Sequence, residues 1–158
     1  MDTLEEHYSR APIPTWFFVL IVVRDGDRFL LVQENKPEQP WYIPAGRVEA
    51  GESLLEAAER ETMEESGVPV EIERVIRIDH TPFPENVARV RVYLVARPAG
   101  DTHPKSQPDI ESLQAAWFTL EQMKELNLRG EEAYLLCKYV ATDAPLYPLD
   151  VLGVDNIA

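Results

Sequence analysis

The segment from Gly46 to Val68 constrains the fold most, because sequence signals mark both ends of a helix within it. Ser53, with Glu56 three residues later, forms a capping box at which a helix begins. Gly67 is the residue type preferred just after a helix, and Pro69 cannot continue one. The sequence therefore predicts a helix over residues 53–66, preceded by a tight loop with a glycine at each end.

The predicted helix carries an unusual concentration of acidic residues. The 23-residue segment contains seven glutamates, and three of them lie within five positions, Glu61, Glu64 and Glu65. On a helical wheel these three occupy one arc of roughly 100°. The arc adjoins the stripe that should pack on a sheet, which is formed by Leu54, Leu55, Ala58 and Thr62. Carboxylates at the margin of a core repel one another strongly, because little solvent screens them.

Two interpretations of this acidic arc compete. Glutamate is a good helix former, so in the first interpretation the arc is a solvated surface. In the second the arc holds a hard divalent cation, and oxygen-only ligands favour Mg²⁺ or Mn²⁺ over zinc. The loop favours the second interpretation, because the strand that ends at Gly46 can bring a backbone carbonyl toward the same ion. We therefore expect a metal site between the loop and the helix.

Short strands surround the helix. The continuous apolar run Trp16–Val23 is typical of a buried strand, and Asp25-Gly26 after it predicts a hairpin. Apolar and polar residues alternate over residues 70–80 and 88–96, which predicts two strands, each with one apolar face. The apolar face of the first would consist of Val70, Ile72, Ile76 and Ile78, and that of the second of Val90, Val92, Leu94 and Ala96. Residues 97–112 are predicted to form a surface loop, residues 113–118 a short strand, and residues 120–126 and 131–141 helices. The expected class is α/β (α+β), with a mixed sheet between helices.

Composition limits the partners. The length of 158 residues predicts a single domain, 1–158, with its core at about residues 16–141. A net charge of -13 disfavours a nucleic acid polymer or an anionic membrane as partner, because both repel an acidic protein. The longest apolar run is too short to span a bilayer, and the acidic N-terminus does not resemble a secretory signal. The single cysteine, Cys137, allows no internal disulfide and lies in an apolar helical pattern, so we expect a cytoplasmic protein.

The segment from Gly46 to Val68 resembles the Nudix box, the signature of the Nudix hydrolases. The matching residues are Gly46, Glu52, Arg60, Glu61, Glu64, Glu65 and Gly67. Thr62 departs from the family pattern, which usually has a bulky aliphatic residue there, and this bears on local packing. The stretches "WYIPAGRVEAGES" and "ESLQAAWF" are similar to MutT-like and 8-oxo-guanine nucleotide hydrolases. This resemblance, from Trp16 to Phe118, implies a Nudix-type α/β/α sandwich.

The resemblance also implies a role for each box residue. The metal ligands and catalytic residues fall on Glu61, Glu64 and Glu65, with the Gly46 carbonyl as a further ligand. Glu52 and Arg60 correspond to a pair that ties the loop to the helix in the family. An acidic residue before Trp117 often supplies another ligand or a base, and here Glu111 is the candidate and Asp109 the alternative.

The implied reaction is hydrolysis of a diphosphate by in-line attack of water on phosphorus. Metal ions offset the charge on the phosphates and make a bound water more acidic. One carboxylate must accept the proton of the water, and the resemblance favours Glu64 or Glu65 without separating them.

Several residues are candidates for reading the rest of the substrate. Trp41, Tyr42, Phe83 and Tyr93 could stack on a base, although core or rim packing is the more ordinary role of each. The arginines that alternate on the strands, Arg77, Arg89 and Arg91, could meet phosphate or simply pair with surface acids. His80 and His103 could move protons, although isolated histidines near loops usually do not.

The substrate predictions form a ranking. A nucleoside di- or triphosphate, including an oxidised guanine nucleotide, comes first. ADP-ribose or nucleotide sugars come next, because Pro84 resembles a marker of the ADP-ribose branch, and dinucleoside polyphosphates come third. A nucleotide-binding sensor without activity is the alternative outside enzymes, and such domains commonly lose box glutamates.

Overall fold

The structure is a computed structural model that describes residues 11–153. Its elements follow in the order β1 (Thr15–Asp25), β2 (Arg28–Gln33), β3 (Trp41–Tyr42), β4 (Ala45–Arg47), α1 (Leu54–Ser66), β5 (Val70–Phe83), β6 (Val87–Pro98), β7 (Gln114–Thr119), α2 (Leu120–Met123), α3 (Glu132–Ala141), β8 (Tyr147–Pro148) and a 3₁₀ helix (Leu149–Val151).

β1 is the central strand of a mixed sheet. Neighbouring strands follow the order β3-β2-β1-β6-β5-β8, with β4 also paired to β1 and β7 to β2. β1 runs parallel to β6, with Val19 beside Val92, and antiparallel to β4. The predicted hairpin at Asp25-Gly26 joins β1 to β2. Helices cover both faces of the central strands, which is why β1 is a continuous apolar run.

The sheet separates two cores. Alternate residues of β1 enter them, so that Val19 packs with Ala57 and Ala58 of α1, and Leu20 enters the second core. α3 contributes Ala133, Leu136, Cys137 and Val140 to this second core. Burial raises the pKa of the Cys137 thiol, so the side chain is an inert part of the packing. The predicted mixed sheet between helices is confirmed.

β5 differs from the sequence prediction. It extends to Phe83, and its pairing with β6 has two irregularities, between Ile72 and Arg74 and between Val75 and Arg77. Each bulge inserts a residue and reverses which side chains face the core. Ile76 therefore enters the core opposite to Ile72, and Ile78 is 50% exposed. The predicted single apolar face of β5 was wrong for this reason.

The last described residues close one edge of the sheet. β8 pairs with β5, with Tyr147 beside Val75, and Leu152 then packs against the core under α1. No periodic pattern in the sequence predicted this short strand. Among residues 11–153, no helix is long and apolar enough to cross a membrane.

Candidate functional site

α1 begins and ends where its sequence signals predict. The Ser53 hydroxyl accepts a hydrogen bond from the Glu56 amide at 3.1 Å, and the Glu56 carboxylate accepts one from the Ser53 amide at 3.1 Å. Gly67 has a φ of 73°, and its N–H donates to the carbonyl of Met63. These caps fix both ends of the helix and therefore the direction in which its glutamates point.

The departure at Thr62 is accommodated without an unpaired polar group. Thr62 and Ser66 are fully buried under the sheet. The Thr62 hydroxyl donates to the Ala58 carbonyl at 2.7 Å, and the Ser66 hydroxyl donates to the Thr62 carbonyl at 2.5 Å. Both hydroxyls thus donate to carbonyls of their own helix, so neither is buried without a hydrogen-bond partner.

Arg60 and Glu52 join the loop to α1. The Arg60 guanidinium donates two hydrogen bonds to Glu52, at 2.5 Å from Nε and 2.9 Å from Nη2. Nη2 also donates to the carbonyl of Arg47 at 3.1 Å, so one side chain holds both ends of the loop. Hydrogen bonding from Arg60 lowers the pKa of Glu52 to about 2. The geometry supports the structural role that the sequence predicts for this pair.

The same guanidinium contacts two of the three predicted ligands. Arg60 Nη1 lies 2.9 Å from Glu61 Oε1 and 3.1 Å from Glu64 Oε2. Across residues 11–153, no group of three or more acidic, histidine or cysteine side chains is already arranged to hold a metal ion. Arg60 explains this arrangement, because its charge draws the carboxylates of Glu61 and Glu64 toward itself. A divalent cation would have to compete with one guanidinium for these two oxygens.

Gly46 leaves space for the carboxylate of Glu61. A Cβ atom at position 46 would lie 2.0 Å from Glu61 Cδ, closer than any side chain tolerates. Gly46 pairs with Val19 of β1, so the approach is fixed by the sheet. The Glu61 side chain is only 12% exposed, and burial raises its pKa, while Arg60 opposes that shift. The backbone of Gly46 and the carboxylate of Glu61 therefore form an oxygen-lined position of the kind that a hard cation prefers.

Glu65 points into a cavity of about 300 Å³. Burial raises its pKa to about 8, and the nearby charge of Glu61 adds to the rise. Three carboxylates border this space, because its lining also includes Glu111 and Glu34, and of these Glu34 is paired with Lys36 and Arg129. Acidic oxygens that repel one another and lie partly out of water fit a divalent cation by donor type.

The loop after β6 brings Glu111 to this cavity. Asp109 accepts hydrogen bonds from the amides of Glu111 and Ser112 and pairs with Lys105 at 2.6 Å. Lys105 Nζ also donates to the Glu64 carbonyl near the end of α1 at 2.8 Å, which anchors the loop on the helix. Since Asp109 is occupied in holding the loop, the geometry favours Glu111 as the acid that faces Glu65.

A second cavity of about 290 Å³ adjoins the acidic one. Tyr42, Ala45 and Arg129 line both cavities. The second cavity is cationic, with Arg89 and Arg91 from β6 beside the apolar side chains of Phe18 and Leu20. An acidic chamber thus opens onto a chamber that carries three arginines, in a protein of charge -13.

The predicted substrate-reading residues have different positions. Among the aromatic candidates, Tyr42 lines both cavities, and among the candidate arginines, Arg89 and Arg91 line the second. Trp41 packs edge-on against Phe118, with ring centroids 5.0 Å apart. Tyr93 is 0% exposed, so it cannot stack on a base, and that prediction is corrected.

Arg77 and Phe83, which were also candidates, line neither of these two cavities. Arg77 lies over the Tyr93 ring and borders a different cavity beside α3. The guanidinium of Arg89 lies over the ring of Phe83, with Cζ 5.7 Å from the ring centroid. His80 and His103 are exposed and line neither chamber.

Arg129 is a site residue that the sequence did not predict. Its guanidinium lies 3.7 Å from the centroid of the Tyr42 ring and 3.0 Å from Glu34 Oε1. Its amide donates to the Trp41 carbonyl at 2.9 Å, which holds residues 127–129 against β3. No motif surrounds Arg129, and it reaches the site because of this long-range contact, so no local signal could have identified it.

Comparisons with known proteins agree on one family. A family model described as the NUDIX domain matches residues 16–139. The human "8-oxo-dGDP phosphatase NUDT18" is 40% identical over 101 residues, which are 62% of this chain and 30% of that protein. The "Putative nudix hydrolase 1" of Caenorhabditis elegans is 34% identical over 130 residues, 80% of this chain and 34% of that protein. The chain spans about a third of the length of these relatives.

Solved structures share the fold. A NUDIX hydrolase from Nitrosomonas europaea has a TM-score of 0.74 and 26% identity, covering 92% of this chain and 99% of the other. An ADP-ribose pyrophosphatase from Streptococcus suis has a TM-score of 0.63 at 24% identity, covering 84% and 95%, which indicates the fold alone. The family model covers most of the chain, and the capped acidic helix lies within it. This chain belongs to the NUDIX domain family.

Proposed function

We propose that this chain is a hydrolase that cleaves the diphosphate of a nucleoside di- or triphosphate, with Mg²⁺ or Mn²⁺ as cofactor. The observation that carries the proposal is the pair of adjoining chambers. Glu65 and Glu111 border the acidic one, and three arginines border the other. A nucleotide needs a cation at its phosphates, which a metal ion held by the acidic chamber would supply, and a partly apolar space with hydrogen-bond donors for its nucleoside, which the second chamber provides. The family generally uses divalent cations, which supports the cofactor.

The proposed ligands are Glu61, Glu64, Glu65 and the Gly46 carbonyl, with Glu111 as a further ligand or base. The bound ion would offset phosphate charge and acidify water. The chain itself orients the reaction, since Arg60 fixes the loop and Lys105 fixes the segment that carries Glu111. Among the acids, Glu64 and Glu65 are the candidates to accept the proton of the attacking water.

The substrate ranking rests on relatives and on charge. The human and mouse relatives are named 8-oxo-dGDP phosphatase, which favours an oxidised guanine nucleotide. The net charge of -13 disfavours a polymer as substrate. ADP-ribose and nucleotide sugars rank second, because only Pro84 in the sequence speaks for them, and dinucleoside polyphosphates rank third. A sensor without activity is the remaining alternative, but all box glutamates are retained.

We propose further that the activity resides in one domain with its core at about residues 16–141, in the cytoplasm. The location rests on the single, buried cysteine and the absence of any pattern for a disulfide framework.

The test measures nucleoside monophosphate formation by chromatography across a nucleotide panel with and without Mg²⁺, because every substrate in the panel yields this product when its diphosphate is cleaved. We expect dGDP, 8-oxo-dGDP and dGTP to be hydrolysed only with the metal, at higher kcat/KM than ADP-ribose, NADH or a nucleotide sugar. Glu65→Gln should lower kcat by 10²-fold or more, roughly as for loss of an acid-base group. Glu59→Gln, on the exposed face of the same helix, is the matched control and should retain activity.

Two outcomes would contradict the proposal. Nucleotide binding without turnover in any metal would support the sensor instead. A kcat/KM tenfold higher for ADP-ribose, about 1.4 kcal/mol in transition-state binding, would reverse the substrate ranking.

A further inference from the structure

Arg89 differs from the other two arginines of the cationic chamber. Arg91 lies 3.6 Å from Asp79 and 3.5 Å from Glu132, and Arg129 lies 3.0 Å from Glu34. Within residues 11–153, Arg89 makes no salt bridge, and this sets it apart, since its Nε and that of Arg91 are both buried without a hydrogen-bond partner. A guanidinium stays charged and only donates hydrogen bonds, so it calls for an acceptor that this part of the chain does not supply.

Register along the sheet places the backbone of Arg89 at a different level from Gly46 and the glutamate beside it, although Arg89 and Gly46 line the same chamber. Gly46 stands beside Val19 on one side of β1, and Arg89 stands beside Trp16 on the other. Three residues of strand at roughly 3.3 Å each separate the two levels by about 10 Å. The guanidinium also leans over Phe83, near the tip of the β5–β6 hairpin and further from β4.

This separation decides which part of a nucleotide meets Arg89. The two phosphorus atoms of a diphosphate share one bridging oxygen, so a diphosphate held at the glutamates does not extend to this level. The nucleoside does, because ribose and base continue outward from the phosphates. Arg89 therefore faces the base, and the apolar side chains of Phe18 and Leu20 provide the floor on which a base can lie.

The donors of Arg89 distinguish between the purines. Guanine presents O6 as an acceptor where adenine presents an amino group, and an amino group cannot accept from a guanidinium. We propose that Arg89 selects keto purines by donating to O6, which makes guanine nucleotides and their 8-oxo forms the preferred class. The inference rests on the proposed function only in assigning the phosphates to the glutamates. Phe83, which was predicted to stack on a base, becomes a positioning contact for Arg89.

The test compares binding of dGMP, dIMP and dAMP, measured by titration calorimetry with Mg²⁺ at one ionic strength. dIMP keeps O6 but lacks the 2-amino group of guanine, so it isolates the contact proposed here. The variant is Arg89→Met, which retains an apolar stem of similar length and removes every donor. The matched control is Arg97→Met, which removes the same charge from β6, where Arg97 is exposed and paired with Glu71.

We expect wild type to bind dGMP and dIMP at least about tenfold more tightly than dAMP, within the range for a specific base contact. Arg89→Met should bring the three dissociation constants to within about threefold, with dAMP nearly unchanged, while Arg97→Met retains the preference. Equal weakening of all three nucleotides, no weakening, or no binding by wild type would overturn the inference.

The proposed function can fail independently. Hydrolysis of dGDP and dADP at equal kcat/KM would overturn base selection and leave the hydrolase intact. A keto-purine preference in binding, without Mg²⁺-dependent hydrolysis of any nucleotide, would overturn the hydrolase and leave base selection intact.

Discussion

At the scale of single residues, the site depends on the absence of a Cβ atom at Gly46. The carboxylate of Glu61 lies where the Cβ atom of any other residue at position 46 would be. Position 46 therefore requires glycine because Glu61 approaches the backbone closely. The backbone conformation does not require it, since Gly46 is not among the residues with positive φ. The glycine and the glutamate are 15 positions apart in sequence, yet they define one position in space.

Gly46→Ala should displace Glu61 and disturb the proposed metal position. We expect a loss of at least about tenfold in kcat/KM and a weaker response of the melting temperature to Mg²⁺. Gly100→Ala is the control, because an added Cβ there meets nothing within 4 Å. Full activity in Gly46→Ala would show that Glu61 is free to reorient and that the close approach has no functional role.

The ion pair of Glu52 with Arg60 should make stability depend on pH in a defined window. The pKa of Glu52 falls from 4.5 to about 2 because of its hydrogen bonds from Arg60. A lowered folded-state pKa stabilises the protein above pH 4.5, and the contribution is lost as pH falls toward 2. Wild type should therefore exceed Glu52→Gln in urea stability at pH 7, and the difference should shrink below pH 4.5.

Glu49→Gln is the control for this measurement. Glu49 lies in the same loop, but its side chain is 66% exposed and 3.9 Å from Arg60. The Glu49→Gln protein should match wild type within about 0.5 kcal/mol, as exposed pairs generally do. A difference between wild type and Glu52→Gln that stayed constant from pH 7 to pH 2 would mean that packing, and not charge, carries the effect.

At the scale of elements, the loop that follows β6 is a fixed part of the site. Lys105 donates to the end of α1, Ser112 donates to the Glu65 carbonyl at 2.6 Å, and Asp109 closes the turn between them. The helix that carries the box glutamates and the loop that carries Glu111 are thus bound to each other. Their relative position is set by hydrogen bonds to backbone carbonyls, which any substitution in the helix surface leaves in place.

The two acids of this loop should behave differently when neutralised. Glu111→Gln should lower kcat by roughly 10²- to 10⁴-fold, the range for general acid-base groups, with an unchanged melting temperature. Asp109→Asn should lower the melting temperature and increase amide hydrogen exchange at Ser112, because its carboxylate caps that amide. A kcat change below threefold in Glu111→Gln would leave the role to Asp109 or to neither acid.

How far the sequence predicts each element depends on where its signals lie. α1 was predictable to the residue because Ser53, Glu56 and Gly67 act within one helical turn of its ends. Which side chains of β5 face the core was not predictable, because its two bulges are set by pairing with β6 and have no local signature in the sequence. The box glutamates are candidates from the sequence because of their spacing together with the family resemblance, whereas the place of Arg129 and the burial of Tyr93 depend on which elements pack together in the finished fold.

At the scale of the whole molecule, charge and cation binding are linked. A net charge of -13 destabilises the compact state through electrostatic repulsion, and Glu61 and Glu65 add to this repulsion at one place in the protein. Burial raises the pKa of both groups, to about 8 for Glu65, which means that the folded protein disfavours their anionic forms and that a bound cation would favour them. A cation that binds only the folded state should therefore stabilise the entire domain, and not merely the helix that holds it.

Millimolar Mg²⁺ or Mn²⁺ should raise the melting temperature of the wild-type protein. At 100 times the dissociation constant the stabilisation should be about 2.7 kcal/mol. Glu65→Gln should abolish the increase, while Glu59→Gln should retain it, because Glu59 lies on the exposed face of α1. NaCl at the same ionic strength as the MgCl₂ or MnCl₂ controls for general screening of the acidic surface. If NaCl reproduced the full increase, or if wild type did not respond to either divalent ion, the glutamates would be a solvated acidic face, and the proposed metal site and hydrolase mechanism would both be wrong.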